Sequence, residues 1–557
     1  AAFRTEDRLS HRDILGSLMG MGIVREKVGD ILVSPESADL IVLDTVAELF
    51  DLPADLVAGL PHLEMMGSRQ LYLEHHTGIL AYSDEQIDVN TTGGVLRVRG
   101  ARLALMAMTA EELRIAVGRD SRLSGPSLQR AVLTGLVAMG AVAADCGMAS
   151  TPAMFMATVL PGCDFDGAVM ITASHLPQNR NGLKFFTREG GLESADIKEL
   201  LRRAEAGPEA ARLHGRLTSF DILTPYTAML RQRIITGVNG GERPLAGLKI
   251  AVDAGNGAGG FYATRVLAPL GADISASVYL EPDGSFPNHV PNPENKEAME
   301  SIRRAVLTGG CDLGLIFDTD VDRAGAVEAD GTELGRNRLI ALAAAIAAEQ
   351  APGSTIVTDS VTSDQLADFI EKKLGCRHHR FKRGYKNVIN EAIRLNEAGE
   401  TCLLAMETSG HGALKENYFL DDGAYLATKI VIRYAQLRRQ GRTLADLLEG
   451  MREPLEAREL RFRLLPEDFK AAGAAVLAAL ERYAASQPGW VPAPHNYEGL
   501  RYSVPAVKGW FLLRMSLHDP LMPLNIESDC PGGAEEILRE LAPFLKGQAA
   551  LDTAQLG

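Results

Sequence analysis

Three stretches of this chain open in the same way, and together they fix its fold class. RIAVGRDSRLSG (114–125), LKIAVDAGNGAGG (248–260) and STIVTDSVTSDQL (354–366) each run from an apolar β-type segment into an Asp/Gly/Ser turn and then a helix-like stretch. Repeated strand–turn–helix units predict three related α/β domains with mixed or parallel sheets, over 114–222, 223–335 and 336–453. After these the pattern changes. An Ala/Leu helix (469–484), a strand-like segment (510–514) and a final helix (534–545) predict an α+β fourth domain over 454–557, with 487–499 as a surface loop. Upstream, 71–73, 78–80, 86–89, 95–98 and 103–105 are short alternating segments parted by Gly, Asn or His turns, which predicts a small antiparallel β-meander. The expected architecture is α/β multidomain: three related α/β domains plus an α+β C-terminal domain, preceded by a small β-rich N-terminal module (46–113) and a first segment (1–45). A length of 557 residues suits such a multidomain chain.

Charge and cysteine usage narrow the function classes. A formal net charge of −15 argues against a general nucleic-acid or membrane-surface binder. An anionic ligand must therefore be gathered by local Arg and Lys. Six scattered cysteines form no C-x-x-C pair, which suits a reducing compartment. The opening AAFRTEDRLSHRD lacks the apolar core of a signal peptide. No apolar stretch approaches the roughly 20 residues that a membrane span needs, and the Ala-rich run at 339–348 reads as a core helix. A cytoplasmic protein without membrane contact is expected; the sequence does not fix its oligomeric state.

Five loops carry residues suited to chemistry. In CDFDGAVMITASHLPQNRNGLKFFT (163–187), a buried strand empties into Thr172-Ala173-Ser174-His175, with Lys184 ten residues beyond Ser174. A serine at the end of a rigid strand, with cations near, suits a nucleophile; a plain polar turn is the alternative. Asp318, Asp320 and Asp322, followed by Arg323, come straight after an apolar run. In an extended loop, alternate residues share a side, and three carboxylates there suit a hard cation such as Mg²⁺; a solvated acidic turn is the alternative. In Met406–His411, Glu407 and Ser409 could bond adjacent sugar hydroxyls and His411 could shuttle a proton, although an ordinary loop is equally compatible. Lys382, Arg383 and Lys386 surround Gly384 and Tyr385, either to cover a phosphorylated ligand or as a basic surface turn. Arg514, Ser516 and His518 alternate along one face and could cradle phosphate. The glycine-rich turn at 253–260 lacks the Lys and spacing of a P-loop and reads as structural. Arg119 and Arg122 read as scaffold and local cation.

The strings T-A-S-H-x-P…N-G-x-K, D-x-D-x-D-R, E-x-S-G-H and R-x-S-x-H-D-P occur in that order across 114–545. In this they resemble the α-D-phosphohexomutases, the phosphoglucomutase/phosphomannomutase superfamily. The resemblance implies a phosphoserine at Ser174, and Mg²⁺ held by Asp318, Asp320, Asp322 and an oxygen on Ser174. It implies phosphate contact by Arg323 and Arg514, and sugar contact by Glu407 and Ser409, with Lys382, Arg383, Tyr385, Ser516 and His518 adding ligand contacts. The implied reaction moves a phosphoryl group between C1 and C6 of a glucose or mannose phosphate through a hexose 1,6-bisphosphate. Lys184 is the first candidate base, its pKa lowered by burial among cations, with His175 and His411 as the others. The family's last loop usually reads R-x-S-x-T-E-P, so His518 and Asp519 are departures. The family's opening G-x-x-G-x-R-G-like motif is not found, which implies that domain one lacks its first strand and helix and has an open sheet edge. Residues 11–33 are similar to a fragment of bacterial S4-type RNA-binding proteins, and 46–113 to the YqfC/YabP sporulation family. The alternative to an active mutase is a catalytically impaired fusion whose N-terminal β module serves interaction or assembly.

Overall fold

The computed structural model describes residues 2–4, 24–28, 31–33, 63–66, 70–73, 76–91, 94–101, 103–107, 113–207, 215–516 and 519–556. They form two compact units, Ala1–Leu113 and Arg114–Gly557. In the first, strands His76–Tyr82, Gln86–Thr91 and Gly94–Arg99 make an antiparallel three-stranded meander. Period-2 alternation buries Ile87, Val89, Leu96 and Val98. Directly across the ladder, Arg97 grips Asp88 with two bonds of 2.8 Å. The outer predicted segments do not extend this meander. Gln70–Leu73 and Ala104–Ala107 instead join a second sheet through Ala2–Arg4. Residues 11–23, the first part of the stretch similar to S4-type RNA-binding proteins, lie outside the described residues.

In the second unit the three repeated openings become three sheets built on one plan. Strand Arg114–Arg119 lies parallel to Gly167–Ile171, Ile250–Asp253 to Leu313–Phe317, and Thr355–Thr358 to Cys402–Met406. The second strand of each pair then turns into an antiparallel partner: Leu183–Thr187, Ala324–Glu328 and Gly412–Leu414. The junctions between these strands carry Ser174, the three aspartates and Glu407. The three loops of interest are thus the same topological position used three times. The apolar runs before them are wholly buried in the first two sheets, which fixes each loop's starting point. In the first domain Arg114–Arg119 is an inner strand. The edges of its six-stranded sheet are the two-residue Gly190–Gly191 and the exposed Arg216–Ser219.

Helices Leu223–Val238, Arg336–Gln350 and Gly423–Arg439 pack the three sheets into one core. Asp422 caps the last helix by accepting from the Tyr425 amide and also takes the Tyr226 hydroxyl at 2.6 Å. The predicted core helix at 339–348 lies within Arg336–Gln350 and is buried throughout. The fourth domain is a six-stranded antiparallel-type sheet under helices Phe469–Ala484 and Gly533–Lys546, with its own core around Phe462, Phe511 and Leu541. Arg501 fastens it to the third domain. Its guanidinium stacks 3.5 Å from the Trp510 ring centroid and donates to the Ser360 and Thr362 carbonyls and to Asp364.

In the glycine-rich turn of the second domain the Asp253 carboxylate is taken up by the fold. His289, almost fully buried, bonds both Asp253 oxygens at 3.0 and 3.1 Å, and Ser301 donates to the same carboxylate at 2.7 Å. Burial opposes the imidazolium, but the Asp253 hydrogen bond and charge outweigh it and raise the His289 pKa. A raised histidine contributes stability that is complete below its unfolded value of about 6.5 and fades as pH rises through the folded value. His289→Gln should therefore lower the melting temperature more at pH 6 than at pH 8.5. An equal loss at both pH values would remove the charged form from the account.

Candidate active site

The serine loop is held from beneath by Arg122. This fully buried guanidinium donates to the carbonyls of Leu176 (2.7 Å), Pro177 (2.8 Å) and Arg180 (3.0 Å), and also to that of Ser174, while Asp120 balances it at 3.2 Å. A loop carbonyl without such a donor would pay the desolvation cost of an unmade bond. Arg122 is therefore an organiser of the loop rather than a mere local cation. Arg122→Met should cost about 3–5 kcal/mol, the range for breaking a buried pair, because Asp120 loses its buried counter-ion and keeps only neutral donors, the residue-122 amide and Thr172. The expected readouts are a lower thermal midpoint and a fall in kcat larger than any change in KM; wild-type kcat in a folded variant would refute the positioning role.

Ser174 sits at φ +50°, a left-handed conformation that costs a non-glycine residue about 1–2 kcal/mol. Its amide bonds Thr172 Oγ1 at 2.9 Å, so the hydroxyl is presented in one direction. That hydroxyl donates to Asp318 Oδ2 at 3.1 Å and lies 3.3 Å from His175 Nδ1 and 3.4 Å from Arg323 Nη2. Arg323 also reaches His175 Nδ1 at 2.7 Å and His411 Nε2 at 3.2 Å. Burial, then Arg323 and His411, push the His175 pKa down to about 4. His175 is consequently a neutral acceptor for Arg323 near pH 7.

The three aspartates converge by a different route from the one their spacing suggested. Asp318–Arg323 is a tight turn, not an extended loop, and Val321 takes φ +67° at its apex. The turn brings ligand atoms of Asp318, Asp320 and Asp322 within 4.8 Å of one another, all buried. Burial, and then the charges of Asp322 and Asp320, raise the Asp318 pKa well above the usual carboxylate range. Burial works against Asp322 as well, but Lys184, His411 and Arg323 overcome it and hold its carboxyl low. Asp320 Oδ1 and Asp322 Oδ1 are buried and, among the described residues, accept no hydrogen bond. Bare carboxylate oxygens in an all-oxygen cluster fit a hard divalent cation.

Lys184 Nζ lies 2.9 Å from Asp320 Oδ2 and 2.6 Å from Asp322 Oδ2. Burial opposes its charge, but these two carboxylates raise its pKa well above the ordinary lysine value. This corrects the expectation of a pKa lowered among cations: the neighbours are anions, and they hold the proton on.

From the third sheet, Glu407 accepts the Gly384 amide at 2.7 Å, and Ser409 Oγ lies 2.8 Å from His411 Nδ1. Burial and Arg323 oppose a charged His411, whereas Asp322 and the Glu407 hydrogen bond favour it, and its pKa rises. Tyr385 stacks on His411 with ring centroids 5.6 Å apart. Around Gly384 the cations fan apart. Arg383 turns inward, 3.8 Å from Glu294 and 4.0 Å from Asp359. Lys386 is spent on Glu193 and the Gly191 carbonyl of the first domain. Lys382 is exposed and lies over the Phe381 ring at 5.8 Å, outside the cluster. In the fourth domain Arg514 is buried and Ser516 Oγ accepts the Asp519 amide at 3.3 Å; His518 lies outside the described residues.

Several site groups had no sequence signal strong enough to find them. Thr151, at the start of helix Thr151–Met156, bonds Asp320 through its hydroxyl and its amide. Asp359, whose pKa burial raises to about 6, takes both the Thr408 amide and hydroxyl. Asp421 is pushed up to about 7 by burial, with Asp322 and Glu407 adding to the shift against His411. Asp359 does open the third repeat, so its place after a buried strand was the available clue.

Three family models match the second unit and the end of the first: phosphoglucomutase/phosphomannomutase alpha/beta/alpha domain I over 86–210, domain II over 225–331 and domain III over 335–454. A fourth, described as "Putative RNA-binding domain in YlmH", matches 6–59, most of which lies outside the described residues. A phosphomannomutase/phosphoglucomutase of Pseudomonas aeruginosa is 32% identical over 457 residues, 82% of this chain and 91% of that protein. A phosphoglucomutase of Neisseria gonorrhoeae is 33% identical over 78% of this chain and 89% of its own. The crystal structure of a phosphoglucomutase/phosphomannomutase family protein from Burkholderia thailandensis superposes with a TM-score of 0.65 at 28% identity, covering 79% of this chain and 90% of that one.

Proposed function

This chain belongs to the phosphoglucomutase/phosphomannomutase family, and we propose that it interconverts hexose 1- and 6-phosphates with Ser174 as the phosphoryl carrier. The observation that supports the role of Ser174 most directly is the convergence on its hydroxyl of Asp318, His175 and Arg323, from two different sheets. Asp318, Asp320 and Asp322 would hold Mg²⁺ together with an oxygen of phosphorylated Ser174, and the bound cation supplies positive charge against the transferring group.

In the proposed step a sugar hydroxyl attacks the phosphorus on Ser174. The P–Oγ bond breaks, a P–O bond to the sugar forms, the sugar hydroxyl gives up its proton and the Ser174 oxygen takes one up, and the product is a hexose 1,6-bisphosphate. Transfer of the other phosphoryl group back to Ser174 restores the enzyme and leaves the isomeric monophosphate. Such a reaction depends on in-line placement and charge neutralisation. Arg323 supplies fixed positive charge at Ser174 and keeps His175 in its acceptor form. Glu407 and Ser409 are placed to bond adjacent sugar hydroxyls, with Tyr385 and His411 as a stacked wall beside them. Lys184 is the candidate for receiving the sugar hydroxyl's proton, and it can do so only when Asp320 and Asp322 are engaged elsewhere, because both retain its own proton. Arg383 and Arg514 are the cations available to the distal phosphate.

Coupled assays on glucose 1-phosphate and mannose 1-phosphate test the reading, with intact mass to detect one phosphoryl group on the purified protein. No turnover on either substrate above a Ser174→Ala control would sink it.

A further inference from the structure

We infer that the Glu498 carboxylate stands in for the substrate's distal phosphate beside Arg514, so that a phosphorylated ligand must displace it. The inference rests on the proposed function only in taking Arg514 as the phosphate's cation.

Glu498 belongs to the fourth domain, yet its carboxylate is spent on the third. Oε2 accepts the Arg383 amide at 3.0 Å and the Ser360 hydroxyl, and Oε1 lies 3.7 Å from Arg514 Nη1. The backbone leaves it little freedom. Gly499 follows at φ +57°, and a Cβ placed there would lie 2.3 Å from the Leu513 carbonyl and 2.7 Å from Arg514 Cβ. The turn is thus pressed against the arginine itself. Arg514 is only 6% exposed; among the described residues its Nε has no acceptor and Nη1 reaches one carbonyl, that of Met515 at 3.4 Å. A buried guanidinium with five donors is therefore paired at ionic distance but under-bonded.

The groups that meet Glu498 are all donors: a hydroxyl, an amide and a guanidinium. A phosphate dianion, with three strong acceptor oxygens, could use the same set. It cannot share that set with a carboxylate without like-charge repulsion. The competition has a functional logic. A bisphosphate that must leave this cradle and return end for end is slowed by any grip stronger than turnover needs. A tethered carboxylate that refills the donors lowers the cost of letting go.

Glu498→Gln keeps the shape and the acceptor for Ser360 and Arg383 while removing the charge. Calorimetric titration of the full chain with inorganic phosphate and with a hexose 6-phosphate should show binding about three- to tenfold tighter than wild type. Glu498→Asp, which retains the charge one methylene farther back, should fall between the two and supplies the sign if the glutamine variant folds poorly. Unchanged or weaker phosphate binding in a folded variant overturns the inference. The readout needs no turnover, so tighter phosphate binding in a chain that isomerises nothing would leave this inference standing and remove the proposed function.

Discussion

Replacing Ser174 by alanine should abolish hexose-phosphate isomerisation, with a loss of about 10³-fold or more, and should remove the covalent phosphoryl group from the protein. The reason lies in what the hydroxyl does and does not do for the fold. Its one carboxylate bond is that to Asp318 at 3.1 Å, and the loop around it is held through backbone atoms, by Arg122 at the carbonyls and by Thr172 at the amide. Alanine keeps those backbone bonds. The expected change in stability is therefore within about 1 kcal/mol, the net worth of a single hydrogen bond. A full loss of turnover with an unchanged thermal midpoint would separate chemistry from folding at this residue. Retained turnover would assign the phosphoryl carrier elsewhere.

The residues legible in the sequence share one property: each follows an apolar run that had to be a buried strand. Ser174 after Ile171, Asp318 after Phe317 and Glu407 after Met406 are fixed by the strand before them, and local patterning singles them out as candidates, with a polar turn or ordinary loop left open by the pattern alone. The same logic found helix Phe469–Ala484 and the three-sheet plan. What escaped depends on residues distant in the chain or on turn geometry. Arg122 meets the Ser174 carbonyl across 52 positions, and Glu498 meets Arg383 across 115; no local period encodes either pairing. Lys382 and Arg383 are adjacent, but Gly384 at φ +110° turns the chain there, and the two cations go to opposite environments. Lys184 lies beside the aspartates, but its surroundings have the opposite sign to the one its own loop suggests, since the carboxylates that raise its pKa against burial come from the second domain.

Asp320→Asn should eliminate activity, again by about 10³-fold, while leaving the metal-free protein as stable as the wild type or more so. The two halves of this result have a common cause. Three buried carboxylates within 4.8 Å repel one another, and after burial itself this repulsion raises the pKa of Asp318. Neutralising the middle one relieves that repulsion. The asparagine oxygen can still accept from Thr151 and Lys184, and Lys184 keeps its closer partner, Asp322 at 2.6 Å. The bare oxygen that fits a cation, however, becomes part of a neutral amide. Thermal melts with and without Mg²⁺ give the readout. Wild type should gain stability with added Mg²⁺, by the mass-action term for a ligand that binds only the folded state. Asp320→Asn should gain little, and its melting temperature in a chelator should equal or exceed that of wild type. A cluster kept for stability would give the opposite order, with the variant melting lower in the chelator. Full activity of the variant without added metal would refute the metal assignment itself. The expected pattern, destabilised when empty and stabilised when filled, is what a site retained for chemistry produces.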